Sequence, residues 1–145
     1  MSTKYHLHLN ICESCGRANK RIFIGQSSAG WCFKLRIHPD YNINSLEDWK
    51  QLFFSKDSII KDEYGDEITP HHMLEIITQR SWHGPVSEGI EQQLREGDPS
   101  TYRNVQDFYD MNQAEPGPNN LTRCKIDQVF CVGHGEGTWD LIRNF

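Results

Sequence analysis

The sequence predicts an α+β fold in which an antiparallel sheet carries two main helices within a single domain, residues 1–145. Three observations support this prediction. Two stretches, 4–11 and 32–38, alternate between apolar and polar residues, as strands with one buried face do. Two segments that begin at Ser45 and Thr69 repeat apolar residues at helical spacing. Glycine and proline separate these segments.

The first third of the chain predicts three strands. Residues 4–11 form the first strand and 21–24 form a shorter second one. The small residues of 25–31 then predict a tight loop. The third strand, 32–38, ends at Pro39 because proline has no N–H to donate to a strand ladder.

Two helices follow, separated by a hairpin. Ser45 is suited to cap the first helix, with Asp48 at the third position after it. Residues 62–66 predict a hairpin turn with glycine at the position that needs a positive φ. Thr69 and Pro70 are a typical cap and first turn of the second helix. The apolar stripes of the two helices are Leu46, Trp49, Leu52 and Phe53, and then Met73, Leu74 and Ile77.

Residues 84–122 differ in composition and predict a surface insertion. Apolar residues become fewer and glycine, proline and asparagine more frequent. Short amphipathic helices are expected at 88–95 and 105–111. Strand character returns at 124–131 and again at 139–142, which would complete the sheet.

Composition narrows the possible functions. The formal net charge of −5 argues against general nucleic-acid binding, which needs a basic surface. No segment approaches the roughly 20 apolar residues of a membrane span, and no signal peptide is evident. The expected location is a reducing cytoplasm, where the five cysteines favour metal binding or thiols over disulfides.

Cys12, Cys15, Cys131 and His134 are candidate metal ligands. A Cys-x-x-Cys-Gly sequence is typical of a zinc knuckle, because two thiolates at this spacing can bind one ion. Cys-x-x-His near the other end can supply two more ligands, with Cys124 as the reserve. Four protein ligands predict a structural zinc ion that joins the N- and C-terminal parts; the alternative is a pair of ordinary cytosolic thiols.

The loop 25–31 is a candidate ligand site. Its small residues can expose backbone N–H groups, and Ser27 and Ser28 add hydroxyl donors for an anion. The loop lacks the Gly-Lys-Ser/Thr of a phosphate-binding loop and leads into a strand. The simpler interpretation is a tight turn whose Trp31 packs in the core.

A second candidate ligand site is Arg80, Trp82 and His83. A guanidinium, an indole and an imidazole at a helix end can stack on a nucleotide or clamp a carboxylate. Arg80 can equally well be a basic residue that interacts with the helix dipole.

Several histidines leave a catalytic alternative open. His6 and His8 are two residues apart on one strand face, where they can chelate a metal or simply face solvent. With His38 or His134 they would give a metal-dependent hydrolase with an open coordination position. His134 with Glu136 also suggests acid–base chemistry, which zinc binding by His134 would exclude.

Several segments resemble a group of uncharacterised small proteins of tailed bacteriophages. The group combines a Cys-x-x-Cys knuckle, a Gly-Lys-Ser-Ser-Ala-Gly-Trp-like loop and an Asp-Glu-Tyr-Gly turn. This chain departs from the pattern at Gln26, where lysine is expected. The resemblance implies a phage product that works in an infected bacterium, and it implies no mechanism. The matching residues are Cys12, Cys15, the loop 25–31, Trp49, Asp62-Glu63-Tyr64-Gly65 and Arg80-Ser81-Trp82.

The sequence therefore predicts a phage-encoded, zinc-stapled binding protein rather than an enzyme. We expect it to capture a host target: either a host protein, for instance one of antiviral defence, or a small nucleotide signal. The hydrolase is the first alternative, and a structural or virion accessory protein is the second. No Gly-x-Ser-x-Gly or His-Glu-x-x-His motif points to a named reaction.

Overall fold

The structure, a computed structural model, describes residues 2–11, 14–15, 18–96, 102–125, 131–132 and 139–142. Within these residues the chain forms nine strands and four α-helices, which confirms the α+β prediction. Seven strands make one sheet, and the other two make a small separate sheet.

The large sheet has the order β5-β4-β1-β2-β3-β9-β8. Its neighbouring strands are antiparallel except β3 and β9, which are parallel. The strand β2 is longer than predicted because it includes the first part of the expected loop. The strands are β1 (Ser2–Ile11), β2 (Ala18–Ser28), β3 (Phe33–Arg36), β4 (Ser58–Asp62), β5 (Glu67–Ile68), β6 (Ala114–Pro116), β7 (Thr122–Cys124), β8 (Cys131–Val132) and β9 (Trp139–Ile142).

The predicted helix starts are confirmed by their caps. Ser45 Oγ accepts a hydrogen bond from the backbone N–H of Asp48 at 3.2 Å, and Thr69 Oγ1 accepts one from that of His72 at 3.2 Å. Both short helices of the 84–122 region are also present. The four helices are α1 (Leu46–Phe53), α2 (Pro70–Thr78), α3 (Val86–Glu96) and α4 (Val105–Met111).

Helices α1 and α2 cover one face of the large sheet and form the main core with it. Trp49 is fully buried, and its indole N–H donates to the carbonyl oxygen of Arg36 at 2.8 Å. The ring of Phe53 stacks on it at 5.7 Å between centroids. The fully buried sheet residues Leu7, Ile24, Phe33, Leu35 and Ile60 lie below these helices.

The predicted insertion contributes a second apolar cluster. Ile90 of α3 and Phe108 of α4 are buried together with Ala114 of β6. Trp31 packs against this cluster, with 5.9 Å between its ring and that of Phe108. Residues 84–122 therefore do more than extend over the surface, since they partly bury the tryptophan that follows β2.

A β-bulge interrupts the pairing of β1 with β2. Tyr5 pairs with Gly25 and His6 with Phe23, so Ile24 is the extra residue. Gly25 is required here, because a Cβ atom would lie 2.2 Å from the carbonyl oxygen of Lys34. Bulges redirect side chains, and this one places both Ile24 and Gly25 among the buried residues.

Candidate functional site

The face of the sheet opposite α1 and α2 is strongly basic, and we call it the basic face. It is formed by the residues that alternate with the core positions of β1 to β4. Register brings them together: Lys4 pairs with Gln26, and Gln26 pairs with Lys34. The basic face includes Lys4, His6, His8, Arg21, Phe23, Gln26, Lys34, Arg36 and Lys61, with Ile59 beside His8.

One end of the basic face is covered. Asp140 of β9 lies beside Lys34 and is only 2% exposed. Its carboxylate accepts a hydrogen bond from the backbone N–H of Cys124 at 3.0 Å, so β7 packs over this end. The accessible part of the basic face therefore lies on β4, β1, β2 and β3.

A groove of about 500 Å³ lies in this accessible part, and we call it the basic groove. Three cationic side chains line it against one carboxylate. Its volume lies within the range typical of small-molecule sites. The lining residues are Lys4, His6, Arg21, Phe23, Gln26, Arg36 and Glu63.

The cations of the basic groove lack acidic partners among the described residues. The ion pairs among the described residues lie on α1, on α3 and between β6 and β7. None of them involves Lys4, Arg21 or Arg36. Glu63 instead accepts a hydrogen bond from the backbone N–H of Lys4 at 3.4 Å. The Nε atom of Arg36 is buried and has no hydrogen-bond partner within the described part of the chain. A buried donor left unpaired destabilises the fold.

His6 is neutral near pH 7 because of this environment. Its pKa is lowered to about 4, mainly by burial and then by the positive charge of Arg21, by His8 and by Lys4. Arg21 Nη2 donates to Nδ1 of His6 at 3.4 Å, which leaves the ring proton on Nε2. The pKa of His8 is also lowered, by burial first and then by Lys61 and Arg21. The basic groove therefore presents fixed charges from lysine and arginine and a neutral imidazole.

Phe23 lines the basic groove beside His6 and Arg36. Its ring is 5.0 Å from that of His6, and the guanidinium carbon of Arg36 lies 6.0 Å from its centroid. Because Ile24 forms the bulge, Phe23 and Gln26 both point to the basic face although three positions separate them. The bulge thus places an aromatic ring and an amide beside the cations.

The structure gives Arg80 a partner in the loop 25–31. Its Nη1 donates to the carbonyl oxygen of Trp31 at 2.5 Å, and its Nη2 donates to that of Ser28 at 2.6 Å. Burial lowers the pKa of Arg80, and contacts with Cys32 and Tyr5 oppose that shift. The loop thus offers carbonyl oxygens to a cation, which is the reverse of the anion site expected from its composition.

The other loop contacts are also structural. The N–H of Trp31 donates to the carbonyl oxygen of Ser28 at 3.1 Å, and that of Cys32 donates to Thr122 at 2.8 Å. The Trp31 ring packs against Phe108 and lies beneath the Lys34 ammonium at 4.8 Å. These contacts favour the packing interpretation of Trp31.

The contacts of Trp82 and His83 differ from those of Arg80. The Trp82 indole lies against α3, where a Cβ atom on Gly89 would be 2.6 Å from its Nε1. Its backbone N–H donates to Asn119 at 3.1 Å, and His83 is exposed. Packing against the 84–122 region therefore accounts for Trp82.

Ser27 and Arg80 do share a shallow groove of about 370 Å³ beside α2. Its lining includes both Glu75 and His72 as well as Arg80. This mixed polarity gives it less electrostatic preference for one kind of ligand than the basic groove has.

The sheet register separates the two halves of the predicted zinc site. Cys15 lies in the turn before β2, which begins at Ala18, whereas Cys131 aligns with Gln26 across β9 and β3. Ala18 and Gln26 are about 25 Å apart at the rise of a strand. Two sulfur ligands of one zinc ion lie within roughly 4 Å of each other. Cys15 and Cys131 are therefore too distant to bind the same ion.

The remaining metal candidates do not restore that site. Cys12 and His134 lie outside the described residues, and the reserve ligand Cys124 lies beside Asp140, in the same region as Cys131. The described ranges contain no group of three His, Cys, Asp or Glu side chains that could hold a metal. The described residues therefore show no common ion for Cys15 and Cys131, and zinc binding by the predicted ligands, including Cys12 and Cys15, stays a prediction.

The hydrolase alternative needs several of the histidines at one metal ion. His6 and His8 do share the basic face, as their spacing predicts. The Nε2 atom of His38 is 2.7 Å from the carbonyl oxygen of Phe23, so this ring nitrogen carries a proton that it donates there. A nitrogen that donates to a carbonyl cannot bind a metal ion at the same time.

Sequence reasoning missed Lys4, Arg21, Gln26 and Arg36 as site residues. The signal was present, because the polar positions of three successive strands are largely basic in a chain of net charge −5. Alternation alone predicts a solvated face, and only the strand register shows that these positions adjoin.

Comparison with known proteins adds no family to this account: no family model matches the chain, and neither does any curated protein or solved structure. Among the helices of the described residues, none has the length and apolar character required to cross a membrane.

Proposed function

We propose that this is a binding protein that captures an anionic, phosphate-bearing ligand in the basic groove. The observation that carries the proposal is the set of three cations, Lys4, Arg21 and Arg36, that have no acidic partner among the described residues. A chain of net charge −5 has many carboxylates that could have neutralised them. Positive charge concentrated in a concave site attracts anions and raises their rate of association.

Phosphate is the anion that suits these side chains best. Guanidinium groups bind phosphate oxygens through pairs of parallel hydrogen bonds, and lysine adds a compact charge. Two arginines and one lysine can therefore contact several oxygens of one diphosphate group. The limited size of the groove and the acidic remainder of the chain favour a small ligand over a long nucleic acid.

The bacteriophage resemblance gives this activity a setting. In an infected bacterium, a protein that holds a phosphate-bearing signal would lower the concentration of the free signal without any chemistry. The sequence predicts two possible targets, a small nucleotide signal and a host protein. The charge of the basic groove supports the nucleotide signal over the host protein. The cytoplasm of the host remains the proposed location.

Calorimetric titration with inorganic pyrophosphate tests the proposal. We expect binding that weakens as salt rises, because the contacts are electrostatic. Arg21→Gln removes a charge-assisted contact and is expected to lower affinity about tenfold or more. The matched control is Arg95→Gln on α3, an exposed arginine outside the basic groove, which should leave affinity unchanged.

Two results would overturn the proposal. One is the absence of pyrophosphate binding by the wild-type protein at millimolar concentration. The other is equal loss of affinity in the Arg21→Gln and Arg95→Gln variants, which would indicate a general charge effect.

A further inference from the structure

The accessible part of the basic face contains an aromatic ring where a strand normally exposes a polar residue. Ile22 and Ile24 of β2 are buried in the main core, whereas Phe23 between them faces the basic groove and is half-buried. Its ring contacts His6 and the guanidinium group of Arg36 on this face. An aromatic ring set among cations on a sheet surface is the arrangement on which nucleobases stack.

The groups around Phe23 complement the parts of a nucleotide. Arg21 and Arg36 line the groove beside the ring and suit phosphate. Gln26, placed in the groove by the bulge, has an amide that can both donate to and accept from the edge of a base. The groove thus combines an apolar surface, a neutral polar group and a cationic rim within about 500 Å³.

We infer that the ligand of the basic groove is a nucleotide whose base stacks on Phe23 while its phosphates contact Arg21 and Arg36. This inference rests on the proposed function and adds recognition of the base. It makes Phe23 responsible for the preference for nucleotides and the arginines responsible for affinity toward phosphate.

Comparison of ADP with inorganic pyrophosphate isolates the contribution of the base, because the two probes share a diphosphate group. We expect the wild-type protein to bind ADP roughly tenfold more tightly than pyrophosphate, as base–aromatic stacking predicts. Phe23→Leu should remove this preference, so that the variant binds ADP and pyrophosphate with about equal affinity. Phe23→Tyr keeps a ring and should keep the preference for ADP.

The controls separate folding from binding. The backbone carbonyl oxygen of residue 23 accepts a hydrogen bond from His38, and the Leu and Tyr variants keep this oxygen. Thermal unfolding of each variant verifies that it folds. AMP against ribose 5-phosphate repeats the comparison in wild-type protein and needs no variant. Wild-type protein that binds pyrophosphate and ADP equally overturns the inference and leaves the proposed function standing. Failure of both probes to bind overturns both.

Discussion

Replacing Arg80 by lysine removes a contact that ties the end of α2 to the loop after β2. Arg80 donates to the carbonyl oxygens of Ser28 and Trp31 at 2.6 and 2.5 Å. The planar guanidinium group reaches both oxygens at once, whereas a lysine ammonium is a single point of charge. The variant keeps the positive charge and loses at least one of the two hydrogen bonds.

The expected loss of stability follows from these two contacts. A hydrogen bond from a charged donor contributes about 1.5–3 kcal/mol, and the abandoned carbonyl is partly buried. We therefore expect Arg80→Lys to lower the free energy of unfolding by about 2 kcal/mol. For a chain of this length, that corresponds to a decrease in Tm of roughly 6 °C.

Urea denaturation followed by circular dichroism measures this change, and a pyrophosphate titration accompanies it. Arg95→Lys is the control, because Arg95 is exposed and its ion-pair partner Glu91 lies 3.9 Å away. Its effect should stay below about 0.5 kcal/mol. An Arg80→Lys variant as stable as the wild type would refute the structural role. If that variant also loses pyrophosphate affinity, Arg80 is a ligand-binding residue instead.

Three further predictions concern the bulge, the pH dependence and the metal. Gly25→Ala should lower the free energy of unfolding by about 3 kcal/mol, because the new Cβ would meet the carbonyl oxygen of Lys34. Gly65→Ala, at φ +87° in open space, should lower it by only about 1 kcal/mol. Equilibrium unfolding measures both changes. The pKa of His6 is about 4 when folded and about 6.5 when unfolded, so the unfolded chain takes up the proton first and stability falls as pH decreases from about 6.5 to about 4. His6→Gln should remove roughly 1 kcal/mol of that decrease, since exposure screens the effect, and equal pH profiles for both proteins would contradict this. Elemental analysis should find any bound zinc reduced in Cys12→Ser and retained in Cys131→Ser; loss in both would restore the four-ligand staple.

The sequence predicts the elements of this fold better than their arrangement. Alternation at 4–11 and the caps at Ser45 and Thr69 are local signals, and each corresponds to the element observed. The parallel pairing of β3 with β9 joins segments about a hundred residues apart, and no local pattern encodes it. The bulge at Ile24 likewise depends on close packing of Gly25 against β3.

The location of the candidate site is harder to predict from the sequence than the fold, because long-range contacts create it. The small residues of the loop 25–31, with Ser27 and Ser28, predict an anion-binding loop because they can expose backbone N–H groups. Arg80, 49 residues after Trp31, instead binds the carbonyl oxygens of that loop. Residues such as Arg21 and Arg36 were predicted only as polar positions of strands, and the register that joins them into a groove is a property of the folded sheet.

The most direct test of ligand capture by the basic groove is a titration of ¹⁵N-labelled protein with ADP followed by amide chemical shifts. We predict saturable shifts at residues 4–8, 21–26 and 34–36, with small changes at 80–83. Shifts concentrated at 27–31 and 80–83, with residues 4–8 and 21–23 unaffected, would contradict the account and place the ligand at the loop held by Arg80.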